Sequence, residues 1–362
     1  MATIKKILVY PICKPLKIPF ATSLGKKTFI KSVLVKTILN NNYYGIGEIP
    51  TSFAIKHETI NVIQKVLQQI IPKIVNTNIE YYQEIISYLR KKFEYTPMTL
   101  SGLETSLFRA YLSSINTNEY SFWQQFFNHK KTKSLSMIET DITIPYIKNF
   151  NILNKWLIWC INSGFKIFKL KLSGNLDFDT QLISFVYTTL YTFFGTKKNF
   201  IIRLDANQAY NKNSFLSLLK FIEKNNYKIQ LFEQPLKKND FSGLKYIKQY
   251  SYIPIILDET VFTKNDLMFV IKESLADGVN IKIAKSGILQ STEILLTAKK
   301  NKMLTMFGCM TETMVGLSTS IYIALSSGMF DFIDLDSIFF LYHKNVYSDI
   351  KLKPPNFVII KK

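Results

Sequence analysis

FKIFKLKL at 165–172, IIRLDAN at 201–207, IQLFEQP at 229–235, IPIILDE at 253–259 and VNIKIAK at 279–285 share one pattern: a short apolar run that closes on a charged residue. The charges are Lys169 and Lys171, then Asp205, Glu233, Asp258 and Lys282. Asp205 and Glu233 are 28 residues apart, Glu233 and Asp258 are 25, and Asp258 and Lys282 are 24. Each interval holds one strand, one helix and two short connections. Repeated βα units predict a parallel sheet. Closed into a barrel, such a sheet gathers its strand-end charges on the C-terminal face, where barrel sites are built.

Working outward, strands are expected near 139–144, 166–172, 200–205, 229–233, 254–258, 277–282, 303–309 and 330–335, with helical runs between. The α/β fold is therefore a modified TIM barrel, (β/α)7β, lacking its last regular helix. Residues 2 to about 48 instead alternate like an antiparallel meander, IKKILVYPI, SVLVKTILN and YYGIGEIP, with PFATSLGKKTF (19–29) as a polar, Gly-containing mobile loop. From His57 to about Phe127 apolar residues recur at helical spacing. The charge run NHKKTKSLS (128–136) marks a boundary. The expected division is an α+β capping domain over 1–130, completed by a returning 345–362, and a barrel catalytic domain over 131–344.

The chain has 362 residues and a net charge of +20. Its lysines are scattered among Asn and Ile without a basic block, so nucleic acid is not the expected partner. Cys13, Cys160 and Cys309 are too few and too separated for a disulfide framework. With no signal-like leader and no eighteen-residue apolar span, a soluble cytoplasmic protein without membrane contact is expected.

Three acids from neighbouring strand ends, with no His or Cys beside them, make an all-oxygen site that prefers Mg²⁺, one ion per site. The alternative for any single acid is a helix N-cap. The histidines, His57, His129 and His343, fall outside these motifs. Lys169 and Lys171 share one face of a strand, and their mutual repulsion on burial should lower at least one amine's proton affinity. Lys285 is the exception, expected to run along a wall with its head in solvent.

The ordered set KxK, LDAN, FEQP, LDE and IKxxKSG from Lys282, with GIGEIP at 45–50, resembles the enolase superfamily, muconate-lactonizing subgroup, over nearly the whole chain. The resemblance implies Asp205, Glu233 and Asp258 as Mg²⁺ ligands, Lys171 and Lys282 as an opposed acid/base pair, and Lys169 as an electrostatic helper. DFIDLDSI sets Asp334 and Asp336 on one face of an extended segment. This Asp-x-Asp is similar to that of dipeptide epimerases, where it holds the substrate's α-ammonium group. GCMTE at 308–312, with Met310, and Thr143 also match polar or lining positions of that group. The implied reaction inverts the Cα of the C-terminal residue of an L,L-dipeptide, L-Ala-L-Xaa, through an enediolate. Where similar alanyl-glutamate epimerases carry an Arg, this chain has Gly25, next to Lys26 and Lys27. The second residue is thus open between Glu and a hydrophobic or broad choice, with Phe20, Phe29, Phe53 and Ile55 as pocket candidates. Other readings are a succinylbenzoate synthase or muconate cycloisomerase of the same superfamily, or a non-catalytic basic binding protein. A homo-oligomer is compatible with all of them.

Overall fold

A computed structural model describes residues 1–128, 134–342 and 349–360. The expected junctions at 130/131 and 344/345, together with His129 and His343, lie outside the described residues. The N-terminal part is a three-stranded antiparallel sheet, β1 (Ile4–Thr22), β2 (Gly25–Leu39) and β3 (Tyr44–Pro50), under four helices. Along β2 every second residue from Val33 to Leu39 is buried, the period that a half-covered sheet requires. The helices are α1 (Ile60–Ile74), α2 (Tyr82–Lys92), α3 (Pro97–Ser114) and α4 (Glu119–Asn128). On α1, Ile63, Leu67, Ile70 and Ile74 form the buried stripe, and the Thr59 hydroxyl caps the first turn by accepting from the Val62 amide. Helix α3 lies directly on β3: a Cβ at Gly47 would stand 1.9 Å from the Gly102 carbonyl oxygen, so this crossing tolerates no side chain.

The segment 19–29 is not the loop its composition predicts. β1 and β2 run on as a hairpin, with Phe20 opposite Lys27, Ala21 opposite Lys26 and Thr22 opposite Gly25. Its tip is tied to the barrel: the Ser23 hydroxyl lies 3.0 Å from the Ala206 carbonyl and 3.1 Å from that of Asn207, and the Tyr146 amide donates to the Ala21 carbonyl at 3.0 Å.

The remainder is the expected (β/α)7β barrel. Eight parallel strands lie in chain order: β5 (Ile142–Ile144), β6 (Ile167–Lys171), β7 (Ile201–Asp205), β8 (Ile229–Glu233), β9 (Ile255–Leu257), β10 (Gly278–Ile281), β11 (Leu304–Gly308) and β12 (Phe332–Asp334). Seven helices alternate with them: α5 (Phe150–Asn162), α6 (Leu176–Phe194), α7 (Lys212–Lys224), α8 (Phe241–Tyr250), α9 (Lys264–Glu273), α10 (Ile283–Lys300) and α11 (Met314–Ser327). The first and last strands meet through the Asp141 amide on the Ile333 carbonyl (3.3 Å) and the Leu335 amide on the Thr140 hydroxyl (2.8 Å). Among the described residues no helix is long and apolar enough to cross a membrane.

The C-terminal segment departs from expectation. β13 (Ile350–Lys353) and β14 (Asn356–Ile359) form a hairpin that pairs with β4 (Met137–Glu139), not with the β1–β3 sheet. Residues 139–144, read as one strand, split at Thr140 and Asp141, which frees β4 for this pairing, and Phe357 packs against Phe339 at 5.7 Å.

Two cap carboxylates join cap and barrel. Glu48 on β3 accepts from the Thr313 and Gly316 amides at 3.1 Å each and from the hydroxyls of Thr313 (2.5 Å) and Ser32 (2.7 Å), which places a negative charge on the first turn of α11. Glu104 on α3 accepts from the Leu289 amide at 2.8 Å and pairs with Arg90, where Gly287 (φ 77°) breaks α10. A Cβ at Gly287 would fall 2.1 Å from the Glu104 carboxylate. Replacing Glu48 by Ala strands several buried donors at once and should cost about 2–3 kcal/mol. A shift of the denaturation midpoint with an unchanged slope would record this loss, whereas an unshifted midpoint contradicts the role.

Candidate active site

The parallel register sets Lys171 beside Asp205 and Asp205 beside Glu233 at the ends of β6, β7 and β8. Asp258 follows β9, Lys282 follows β10 and Asp334 closes β12, and all of these side chains are buried. The acids do not cap the following helices. Asn211, Asp240 and Thr263 do so for α7, α8 and α9, which leaves the strand-end carboxylates facing inward. Asn207, Gln208 and Gln234 take left-handed backbone just past Asp205 and Glu233, a strained arrangement found where side chains must be aimed. Gln234 ties the neighbouring strand ends by accepting from the Asp258 amide at 2.9 Å.

Ammonium groups and carboxylates interlock. Lys171 pairs with Asp205, and Lys169 pairs with Asp334 and with Glu233 at 3.2 Å. Lys282 reaches Asp258 at 2.6 Å, and Asn280 donates to Glu233 at 2.7 Å. Burial opposes charge on Lys169, yet Asp334, Glu233 and Asp205 hold it well above the ordinary lysine value. The lowering expected from the Lys169–Lys171 repulsion is therefore absent at Lys169. Burial likewise opposes charge on Lys282, and Asp258 and Glu233 outweigh it, so this amine is an ammonium at neutral pH. Asp205 is pushed up to about 6 by burial and by Glu233, against the pull of Lys171. Glu233 also suffers desolvation, but Lys169 and Lys282 bring it down to about 2.

Lys169, Lys171, Lys282, Thr143, Asp334 and Asp336 line one cavity between barrel and cap, whose wall also includes Met310. Asp205 and Glu233 lie beneath it and are fully buried. The Thr143 amide donates to Asp336 at 2.6 Å, which fixes the second acid of the Asp-x-Asp pair. Of the cap residues, Phe20 and Phe53 reach the cavity, whereas Phe29 is exposed and Ile55 is buried elsewhere. Gly25 and Lys26 do not line it. Gly25 lies against the Phe53 ring, Lys26 points to solvent, and the strand alternation brings in Lys27 instead.

Two members, Arg203 and Lys285, were missed in the sequence. Arg203 sits mid-strand on β7 and bonds Asp141 at 2.6 Å and the Ile333 carbonyl at 2.9 Å. Lys285, expected to reach solvent, is buried and bonds Asp258 at 2.7 Å and the Asn280 carbonyl at 2.9 Å. The signal for it was its place three residues after Lys282, which turns both amines toward the same strand end.

Residues 158–357 match the family described as enolase C-terminal domain-like, more than half of the chain. The chain belongs to that family. It is 28% identical over 349 residues to an L-Ala-D/L-Glu epimerase of Francisella tularensis subsp. novicida, covering 95% of this chain and 93% of the relative. An aromatic dipeptide epimerase of Herpetosiphon aurantiacus is 24% identical, with 94% and 91% covered. In fold, the chain matches a dipeptide epimerase of Enterococcus faecalis V583, solved with Mg and the dipeptide L-Leu-L-Tyr, at a TM-score of 0.84 and 23% identity, covering 99% of this chain and 98% of that one.

In this enolase C-terminal domain-like protein the donor set around β7–β9 fits a hard divalent cation. Asp205, Glu233 and Asp258 offer only oxygen, and next to them Asn207 Oδ1 and Glu259 Oε2 are buried without a hydrogen-bond partner. Among the described residues, however, the acids whose oxygens lie within 4.8 Å of one another are Asp141, Asp334 and Asp336. Each strand-end acid is engaged by an ammonium group, Asp205 by Lys171, Glu233 by Lys169 and Asp258 by Lys282. In the tighter cluster Arg203 holds Asp141 with a charge that cannot be shed, and Lys169 holds Asp334. One negative charge is left over, which matches an ammonium ion better than a dication.

Proposed function

We propose that this protein is a Mg²⁺-dependent dipeptide epimerase that inverts the Cα of the C-terminal residue of an L,L-dipeptide by proton transfer between two lysines. The observation that carries this reading is the single cavity lined by Lys171, Lys282 and the Asp334–Asp336 pair, because it offers two amines from strands on different sides of the barrel and an anionic seat for an ammonium group. The similarity to epimerases over nearly the full chain supports it.

Asp334 and Asp336 receive the substrate's α-ammonium group, which orients the peptide across the cavity. Asp205, Glu233 and Asp258 would hold Mg²⁺, and when bound the ion supplies a positive charge that offsets the negative charge growing on the substrate carboxylate. One lysine, as the free amine, accepts the Cα proton as the C–H bond breaks, and the opposed lysine, as ammonium, delivers a proton to the other face. One proton leaves and one arrives, so neither oxidant nor leaving group is involved. Lys169, held charged by its three carboxylates, stays a fixed cation near the reacting carboxylate.

Cycloisomerase and succinylbenzoate synthase readings fit less well, since a substrate without an ammonium group leaves buried Asp336 without a cationic partner, Lys169 being paired with Asp334. A basic binding protein would have no use for lysines buried at strand ends. The test is incubation of pooled L,L-dipeptides in D₂O with Mg²⁺. Deuterium should enter the Cα of the C-terminal residue as the D epimer forms, chelation should stop both, and added Mg²⁺ should restore them. No label in any dipeptide, with dehydration of a succinylbenzoate precursor instead, would sink the assignment.

A further inference from the structure

Neighbouring barrel strands pair in succession from β5 to β12, but among the described residues β12 and β5 share no ladder. That join is made by single bonds: the Asp141 amide on the Ile333 carbonyl, the Leu335 amide on the Thr140 hydroxyl and the Thr143 amide on the Asp336 carboxylate. Asp334 and Asp336 stand on the segment those bonds hold. The least regular join of the barrel thus carries the acids that must be aimed.

Arg203 spans this join from inside the barrel. It precedes Asp205 by two residues on β7, so both side chains take the same face, and it is buried beside Lys169 in the register of β6 and β7. Its guanidinium donates to the Asp141 carboxylate at 2.6 Å, to the Ile333 carbonyl at 2.9 Å and to Gln230 Oε1 at 2.7 Å, and it stands 5.2 Å from the centre of the Phe332 ring. One rigid fork therefore grips both sides of the join, and one of its acceptors is the carbonyl immediately before Asp334. An ammonium on a flexible stem could not hold three oxygens in that arrangement. Arg203 does not line the cavity, so its contribution to the site passes through the segment 333–336.

We infer that Arg203 is a positioning residue for the ammonium seat: by clasping the Ile333 carbonyl and the Asp141 carboxylate it keeps 333–336 against the first strand, with Asp334 and Asp336 aimed into the cavity. This rests on the dipeptide epimerase reading and names a residue that serves the seat from outside the cavity. The charge of Arg203 has a second use, because it compensates Asp141, an acid with an oxygen within 4.8 Å of oxygens of Asp334 and Asp336. Without the guanidinium that carboxylate faces two others.

The test measures kcat and KM by deuterium uptake, for a free L,L-dipeptide that wild type labels and for its N-acetyl counterpart, in wild type, Arg203→Met and Arg203→Lys. Because Arg203→Met alone strands a buried carboxylate, it is also combined with Asp141→Asn, which removes both charges together. A melting transition recorded for each variant separates lost folding from a lost seat. Arg203→Met with Asp141→Asn should raise KM for the free dipeptide by about 10–100-fold, the scale set by a misplacement of about 1 Å, with kcat changed far less and the N-acetyl dipeptide unaffected. Arg203→Lys, charged but without the fork, should stay impaired. Added to Asp336→Asn, the loss of Arg203 should cost little more, since both changes act on one seat. An equal loss on free and acetylated dipeptides, a full further loss on top of Asp336→Asn, or an Arg203→Lys protein as good as wild type overturns the inference while the epimerase reading stands. If wild type labels no dipeptide, or labels free and acetylated ones alike, the seat itself falls and the inference with it.

Discussion

Lys171→Ala and Lys282→Ala should each lower epimerisation by about 10³-fold, within the range that positioned general acids and bases contribute, yet they should not fail in the same way. If each amine serves one face of Cα, a protein lacking Lys171 loses proton removal from one epimer and keeps slow exchange of the other, and the Lys282 variant shows the reverse. The measurement is deuterium uptake from D₂O, starting separately from the L,L- and L,D-dipeptide. Identical patterns for both variants, or racemisation that survives either change, would refute the opposed arrangement. Because Lys169 and Lys282 are held as ammonium by surrounding carboxylates, replacing one of them also leaves buried acids uncompensated. Thermal melts must therefore accompany the kinetics, and Lys282→Met, which keeps the volume, is the better second variant.

The second large effect should come from Asp336→Asn. Loss of one charged acceptor for the substrate's ammonium group should reduce kcat/KM for free dipeptides by about 10–100-fold while leaving an N-acetylated dipeptide, already poor, unaffected. Asp336 is a cleaner probe than Asp334, whose carboxylate also holds Lys169. Burial and the nearby Asp334 raise Asp336 to about 6. Its useful form is the anion, so kcat/KM should fall as pH drops through about 6, and the variant should lose that inflection. A pH profile identical in wild type and Asp336→Asn would show that this acid does not seat the ammonium group.

The strand-end charges were readable because parallel βα units impose an even spacing, so Asp205, Glu233, Asp258 and Lys282 announce themselves at intervals a strand and helix must fill. The same regularity gave the eight strands. What spacing cannot encode is which side chains meet across the barrel. Arg203 looks like an interruption of an apolar run until the register sets it beside Lys169, and its partner Asp141 comes from the start of another strand. Lys285 looked like a surface lysine because its carboxylate and carbonyl partners come from a neighbouring strand end and from β10, the strand before its helix. Composition misled at 19–29, where polar residues and a glycine belong to a paired hairpin fixed by barrel carbonyls. It misled again at the C-terminus, where an extended stretch can pair with any open edge and took the one that Met137–Glu139 offered.

The glutamate anchors at the Gly287 break of α10 and at the first turn of α11 restrict how the enzyme can open. Rigid swinging of the whole cap would tear two buried anions from the amides they satisfy, a barrier too high to climb on every turnover. The tip of β1 and β2 is held more lightly, by the Tyr146 amide on the Ala21 carbonyl and one serine hydroxyl shared between two carbonyls, with no buried anion among these contacts. Admission and exit of a peptide would then be the business of a few residues flexing at that tip, while the domain behind it stays still.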